Sequence, residues 1–214
     1  MDDIQIIHGD ARDVLPTLDL GEKFAIITDP PYGISHSSNY DASWANTRIA
    51  GDESSALRDW AIDWAKAHDA PWAIFGNWKC QRPHASRGVL VWDKGPASGM
   101  GDLTFPWKMS WEEIYVGGGN WVGRRDEGIL RGHVMLTWES KGRKHPHQKP
   151  VSLMRDLICK LPPDYLIVDP FAGSGSTLVA AMKSGRRAIG IECDADHAAT
   201  IRRRVEDART PLFA

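Results

Sequence analysis

One stretch limits the fold more than any other: LIVDPFAGSGSTLVAAMKSGRRAIGIECD, residues 166–194. An apolar run ends on an acid, Asp169. A turn of small residues follows, and then a helical pattern. A second apolar run ends on another acid, Glu192. Glycines at 173 and 175 allow a tight turn and a close approach of ligand to backbone. The helix that starts there presents unpaired N–H groups beside the turn. A carboxylate about twenty residues on, at the tip of the next strand, suits the hydroxyls of a ribose. A strand–turn–helix–strand unit of this kind belongs in an open α/β sheet with its ligand at the carboxyl ends of the strands.

The rest of the chain repeats the alternation. Strands are expected at Ile4 to His8, Lys23 to Thr28, Pro71 to Gly76, Gly88 to Asp93, Glu112 to Gly117, Val134 to Thr137, Tyr165 to Asp169 and Arg186 to Ile191. Helices are expected at Ala11 to Leu18, Ser54 to His68, Val151 to Lys160, Ser176 to Ser184 and Ala195 to Ala208. Alternation at this spacing predicts a doubly wound, mostly parallel sheet. A length of 214 residues fits a single domain spanning 1–214. Residues 33–52 are polar and aperiodic and read as a mobile loop. Leu57, Trp60, Ala61 and Trp64 form a core-facing helical stripe.

Charge excludes one class at once. The net charge is −2, so the protein is not a basic nucleic-acid coat. Three cysteines without paired spacing argue against a disulfide framework and fit a reducing cytoplasm. No apolar stretch approaches the ~18 residues of a membrane span. His145 and His147 flank a proline without a third ligand, so no metal is expected.

Three ligands compete for the glycine turn. A P-loop needs a lysine after its last glycine, and none follows Gly175. The dinucleotide fingerprint is incomplete, because Leu178 stands where its third glycine belongs. Asp169 would repel a pyrophosphate and attract an ammonium, which suits S-adenosylmethionine. A turn that merely packs strand on helix is the plain alternative.

A second motif lies near the start. The strand FAIIT runs into Asp29-Pro30-Pro31-Tyr32. Two prolines make this turn stiff. Together with HPHQKP at 145–150 and DPFAGSGST at 169–177, the chain resembles the β class of S-adenosylmethionine-dependent DNA amino-methyltransferases. His147 stands where that family's HPTQKP segment carries threonine, and the stretch 89–95 with Glu112 or Glu113 resembles a weaker family segment. The resemblance runs from about residue 6 to 206. It implies a Rossmann-like methyltransferase sheet with circularly permuted motif order, the catalytic motif preceding the cofactor motif. It implies that the first strand lies beside the strand ending in Glu192.

It also implies roles. Asp29, Pro30, Pro31 and Tyr32 would be catalytic. Asp29 and the Pro30 carbonyl would accept the two N–H bonds of an exocyclic amine, and Tyr32 would stack on a flipped base. Asp169, Phe171, Gly173, Ser174, Gly175, Ser176, Thr177 and Glu192 would bind the cofactor. Asp10 would reach its adenine edge, although a helix N-cap explains that acid nearly as well. Lys149 and Pro150 would start a helix near the methionine carboxylate, a solvated lysine being the alternative.

Double-stranded DNA is the expected partner, with a homodimer as the assembly. Its contacts are expected from a short recognition region at 117–149, through Arg124, Arg125, Arg131, Lys141, Arg143 and Lys144, and from the loop 33–52 through Ser37, Asn39 and Arg48. The run Arg202–Arg204 reads as a solvated helix face. Acid-first DPPY favours adenine N6, with cytosine N4 as runner-up. A nucleotide-binding oxidoreductase and a non-catalytic DNA-binding module remain as readings from other classes.

Overall fold

The structure is a computed structural model; it describes residues 3–31, 54–95, 103–133 and 148–209. Eight strands form one sheet: β1 (Ile4–His8), β2 (Phe24–Thr28), β3 (Trp72–Gly76), β4 (Gly88–Asp93), β5 (Trp111–Gly117), β6 (Ile129–Leu130), β7 (Leu166–Asp169) and β8 (Ala188–Glu192). Their order is β1-β8-β7-β2-β3-β5-β4-β6. The sheet is mixed: β5 runs against β3 and β4, and every other pairing is parallel. The expected neighbour relation holds, since β1 lies parallel to β8 with His8 opposite Glu192.

Among the described residues the α-helices are α1 (Ala11–Val14), α2 (Ala56–Ala67), α3 (Val151–Ile158), α4 (Ser176–Lys183) and α5 (Ala195–Arg209). They cover both faces, which makes the sheet doubly wound. Strand side chains alternate between faces, and two cores result. Ala25, Ile27, Ala73, Phe75 and Ile167 pack toward α3, α4 and α5. Phe24, Ile26, Trp72, Ile74 and Val168 pack toward α1 and α2. The central strands β2, β3, β7 and β8 are buried on both faces, as their unbroken apolar runs require.

The inward face of α2 is rotated from the expected stripe: it carries Ala61, Ile62 and Ala65, and Leu57 is not part of the core. Ala61 is buried, while Trp60 and Trp64 are half-buried against the second core. The strand β6 was not visible in sequence; two residues carry no period. The expected strand at 134–137 lies outside the described residues, as do the loop 33–52 and residues 141–147. No helix among the described residues is long and apolar enough to cross a membrane.

Candidate active site

The carboxyl ends of β2, β7 and β8 are neighbours in the sheet, and this brings the two motifs together. Thr28, the last residue of β2, donates its hydroxyl to Asp169 Oδ1 at 2.5 Å. One cleft is lined by both clusters, including Asp29, Lys149, Asp169, Phe171, Gly173 and Ser174. Residues 140 positions apart in the chain therefore face the same space.

The glycine turn is tied down from several sides. Gly173 donates its N–H to Glu192 Oε2 at 2.7 Å, and Asp194 donates to the other oxygen, Oε1, at 2.9 Å. Glu192 thus fixes the turn whatever else it binds. Gly175 caps α4 with φ +76°, and a Cβ there would meet Ile201 Cγ2 at 2.7 Å; only glycine fits. Ser176 is buried and donates to the Lys149 carbonyl at 2.8 Å. Thr177 is buried at the start of α4 and hydrogen-bonds Asp169. Asp169 accepts the Phe171 N–H at 3.2 Å. Burial pushes the Asp169 carboxyl up to about 6, against the pull of its hydroxyl and N–H donors.

Asp29 follows Ala25 and Ile27 in strand parity, so it points to the face covered by α3. Its Oδ2 lies 2.6 Å from Lys149 Nζ. The same ammonium lies 3.0 Å from Glu112 Oε2, and Lys94 pairs with the other Glu112 oxygen. Lys149 is 5% exposed and sits over the Phe75 ring, 4.9 Å from its centroid. Burial pushes Asp29 up to about 6 even with Lys149 beside it. Burial acts on Glu112 too, but Lys149 and Lys94 outweigh it and hold that carboxyl down to about 2. Pro30 is buried and Pro31 half-buried, while Tyr32 lies outside the described residues.

The structure sorts several of these alternatives. Lys149 is not solvated; its ammonium is turned to Asp29 and Glu112 while Pro150 caps α3. Asp10 caps α1, accepting the Arg12 N–H at 2.8 Å and pairing with the Arg12 guanidinium at 2.6 Å. Strand alternation separates the two candidate glutamates: Glu112 joins the Asp29 cluster, whereas Glu113 accepts from the Tyr115 hydroxyl at 2.7 Å and pairs with Arg82. Arg204 is no solvated face. It donates to the Ser174 carbonyl and, at 3.4 Å, to the Ser176 hydroxyl, so it clamps the glycine turn from α5. Arg202 and Arg203 are exposed.

The basic region at 117–149 divides. β5 runs away from the cleft, so residues 118–126 lie at the far edge of the sheet, where Gly118 abuts Ala70 and Pro71. Arg124 pairs with Asp126 there at 3.0 Å, and Lys160 donates to the Arg124 carbonyl at 2.7 Å. Arg125, its exposed neighbour, follows it. Both stand opposite the end that carries Asp29. Arg131 is back at the cleft edge, 3.0 Å from Glu127 and 4.0 Å from Asp93. Ser37, Asn39, Arg48, Lys141, Arg143 and Lys144 lie outside the described residues. The cleft edge instead shows exposed aromatics: Trp78 after β3, and Phe105 and Trp107 between β4 and β5.

Arrangement and fold together define a class, an α/β enzyme with an acid-lined ligand turn and a second carboxylate across the cleft. Comparison with known proteins makes the class specific. The sequence profile of the N6/N4 DNA methylase family matches residues 109–203. A protein of Escherichia coli (strain K12) named "Putative methylase YubD" is 31% identical over 205 residues, covering 88% of this chain and 84% of YubD. The M1.HpyAVI–SAM complex superposes with a TM-score of 0.65 at 23% identity, covering 94% of this chain and 99% of that one. The cytosine-N4-specific PvuII DNA methyltransferase gives a TM-score of 0.63 at 15% identity, covering 99% and 90%. The chain belongs to the N6/N4 DNA methylase family.

Proposed function

We propose that the protein moves a methyl group from S-adenosylmethionine to the exocyclic amine of a base in DNA, adenine N6 before cytosine N4. The observation that carries this reading is the shared cleft: Asp29 and the Asp169–Ser174 turn line one space.

The residues fit the cofactor. Asp169 offers a carboxylate to an ammonium, and Glu192 still has lone pairs for ribose hydroxyls beyond the two N–H groups it accepts. The turn carries no lysine for a phosphate. Bound there, S-adenosylmethionine supplies an electrophilic methyl group. The protein's own work is to orient the amine. Asp29 and the Pro30 carbonyl are two acceptors held by a stiff turn, matching the two N–H donors of an NH₂ group. Asp29 also stabilises positive charge growing on nitrogen, and a carboxylate pushed up to about 6 can take the proton that the methylated amine sheds. A base inside a duplex cannot reach this cleft and must be flipped out. DNA would approach the edge bearing Trp78, Phe105 and Trp107. The order of motifs supports a circularly permuted member of the class.

Acid-first Asp29 favours adenine, and the fold shared with a cytosine-N4 enzyme keeps cytosine as the second reading. The test uses labelled cofactor and DNA, digested to nucleosides. N6-methyladenine is expected. N4-methylcytosine alone would overturn the base assignment. Replacing Asp29 by Ala should abolish transfer and leave cofactor affinity within about threefold, since that side chain serves the amine; near-normal turnover would remove Asp29 from the mechanism.

A further inference from the structure

Four charged side chains form an alternating chain at the cleft: Lys94, Glu112, Lys149 and Asp29. They come from four separate places, the ends of β4, β5 and β2 and the start of α3. Lys149 touches both acids at once, 2.6 Å from Asp29 and 3.0 Å from Glu112. Its side chain is 6% exposed, and those of Asp29 and Glu112 are 20% and 21% exposed. Charges taken this far out of water are tolerated only as pairs, and breaking such a pair is strongly destabilising. The cluster is therefore held together strongly, and the held object is the Asp29 carboxylate.

We infer that Lys149 is a positioning residue for Asp29, and that Glu112 anchors Lys149 in that task. This deepens the proposed function and rests on it. The argument is geometric. Asp29 needs one oxygen aimed at the amine. Lys149 takes the other, Oδ2, and so fixes the rotation of the carboxylate. A lone lysine on a flexible stem would not hold that direction. Glu112 on rigid β5 gives Nζ a second fixed contact, and the Phe75 ring beneath it closes the site from below. Lys94 neutralises what Glu112 would otherwise add to the acid excess.

The charges that face Asp29 are Lys149 at the start of α3, Glu112 on β5 and Asp169 at the end of β7. Lys149 favours the ionised acceptor, while burial, Glu112 and Asp169 oppose it. The two variants thus act in opposite directions. Lys149→Met removes the only positive neighbour among these, so the Asp29 titration midpoint should rise by about one pH unit or more. Glu112→Gln removes a like charge and leaves the ammonium, so the midpoint should fall. Lys149→Arg keeps the charge and should leave it near the wild-type value.

The experiment is a carboxyl ¹³C titration of the whole protein labelled at aspartate, with the Asp29 signal assigned by its absence in Asp29→Asn. It needs neither DNA nor turnover. The acid limb of kcat, measured on the same variants, should move with the titration. Cofactor affinity, measured by calorimetry, should stay within about threefold in Lys149→Met. Opposite shifts in Lys149→Met and Glu112→Gln support the inference. An unchanged midpoint in Lys149→Met, with cofactor affinity lowered tenfold or more, would make Lys149 a cofactor ligand and overturn it. If Lys149→Met does not fold, Glu112→Gln and Lys149→Arg carry the test: a midpoint that stays put in Glu112→Gln overturns the inference. A protein that gives the two shifts yet methylates no DNA would sink the proposed function instead.

Discussion

Replacing Asp169 by Asn separates what this acid does for a ligand from what it does to the fold. The side chain is 3% exposed, and burial raises its pKa from 3.8 to about 6, with Glu192 adding in the same direction. A carboxyl group whose folded pKa lies above its unfolded one makes the folded state the stronger proton binder between the two values. Stability therefore falls as pH rises through that window, and the cost is complete above about pH 6. At about 1.4 kcal/mol per pH unit, the rise amounts to about 3 kcal/mol. Asn has no charge to desolvate. Its Oδ1 can keep the Thr28 hydroxyl at 2.5 Å and the Phe171 N–H at 3.2 Å. The variant should be more stable than the parent by about 1–3 kcal/mol at pH 7, with most of that difference gone by pH 4. Affinity for S-adenosylmethionine should fall about 10- to 100-fold, the worth of a charge-assisted hydrogen bond. Urea unfolding without cofactor from pH 4 to 7, and calorimetric titration at pH 7, read the two effects. An Asn variant less stable at pH 7, or an advantage independent of pH, would refute the reasoning about this buried charge.

Three further outcomes are expected. Arg204→Met releases the Ser174 carbonyl and Ser176 hydroxyl from α5, so the cofactor Kd should rise roughly tenfold, read by calorimetry, with kcat at saturating cofactor little changed. Gly190→Ala places a methyl group 2.6 Å from Leu178 Cδ1 and 3.0 Å from Ala172 Cβ, and denaturation midpoints should report a loss of about 1–3 kcal/mol. Arg124→Ala and Arg125→Ala lie at the edge away from Asp29, so fluorescence anisotropy should find DNA affinity within about twofold of the parent, whereas Trp107→Ala at the cleft edge should weaken it.

Much of the frame was legible because it is written locally. Buried parallel strands are short apolar runs, and helices start where a proline or glycine lets them. Both the α3 and α4 starts, at Pro150 and Gly175, were placed from sequence for that reason. What escaped was long-range. Lys149 has the outward appearance of a surface lysine; its partners sit 120 and 37 residues earlier, and no local pattern announces them. The basic run at 117–149 looked like one patch because the residues are close in the chain. β5 delivers the run to the far edge, where Arg124 lies, and the short β6 carries it back beside β4, leaving Arg131 at the near one. Arg204 did leave a signal: it falls between Ile201 and Val205, both buried on the inner stripe of α5, so helical spacing places it inward beside them.

The same geometry decides between the ligands that the glycine turn left open. Asp29, Asp169, Glu112 and Glu192 gather at these strand ends, and the described cations paired with them are Lys149 and Lys94, Arg204 being engaged with Ser174 and Ser176 instead. Both lysines are already engaged with Glu112, so the acid charge facing the cleft is not fully balanced. A pyrophosphate brought to this turn would meet Asp169 and Glu192 at close range, and its two charges would have to displace the lysine from Asp29 to find a partner. A molecule with an ammonium, a sulfonium and a ribose, and no phosphate, meets the opposite situation. Each of its polar groups finds an acceptor, and its positive charge relieves the like-charge crowding that adds to burial in raising Asp29 and Asp169. Cofactor binding and ionisation of Asp169 should thus favour one another, and that coupling is what the Asp169→Asn variant removes.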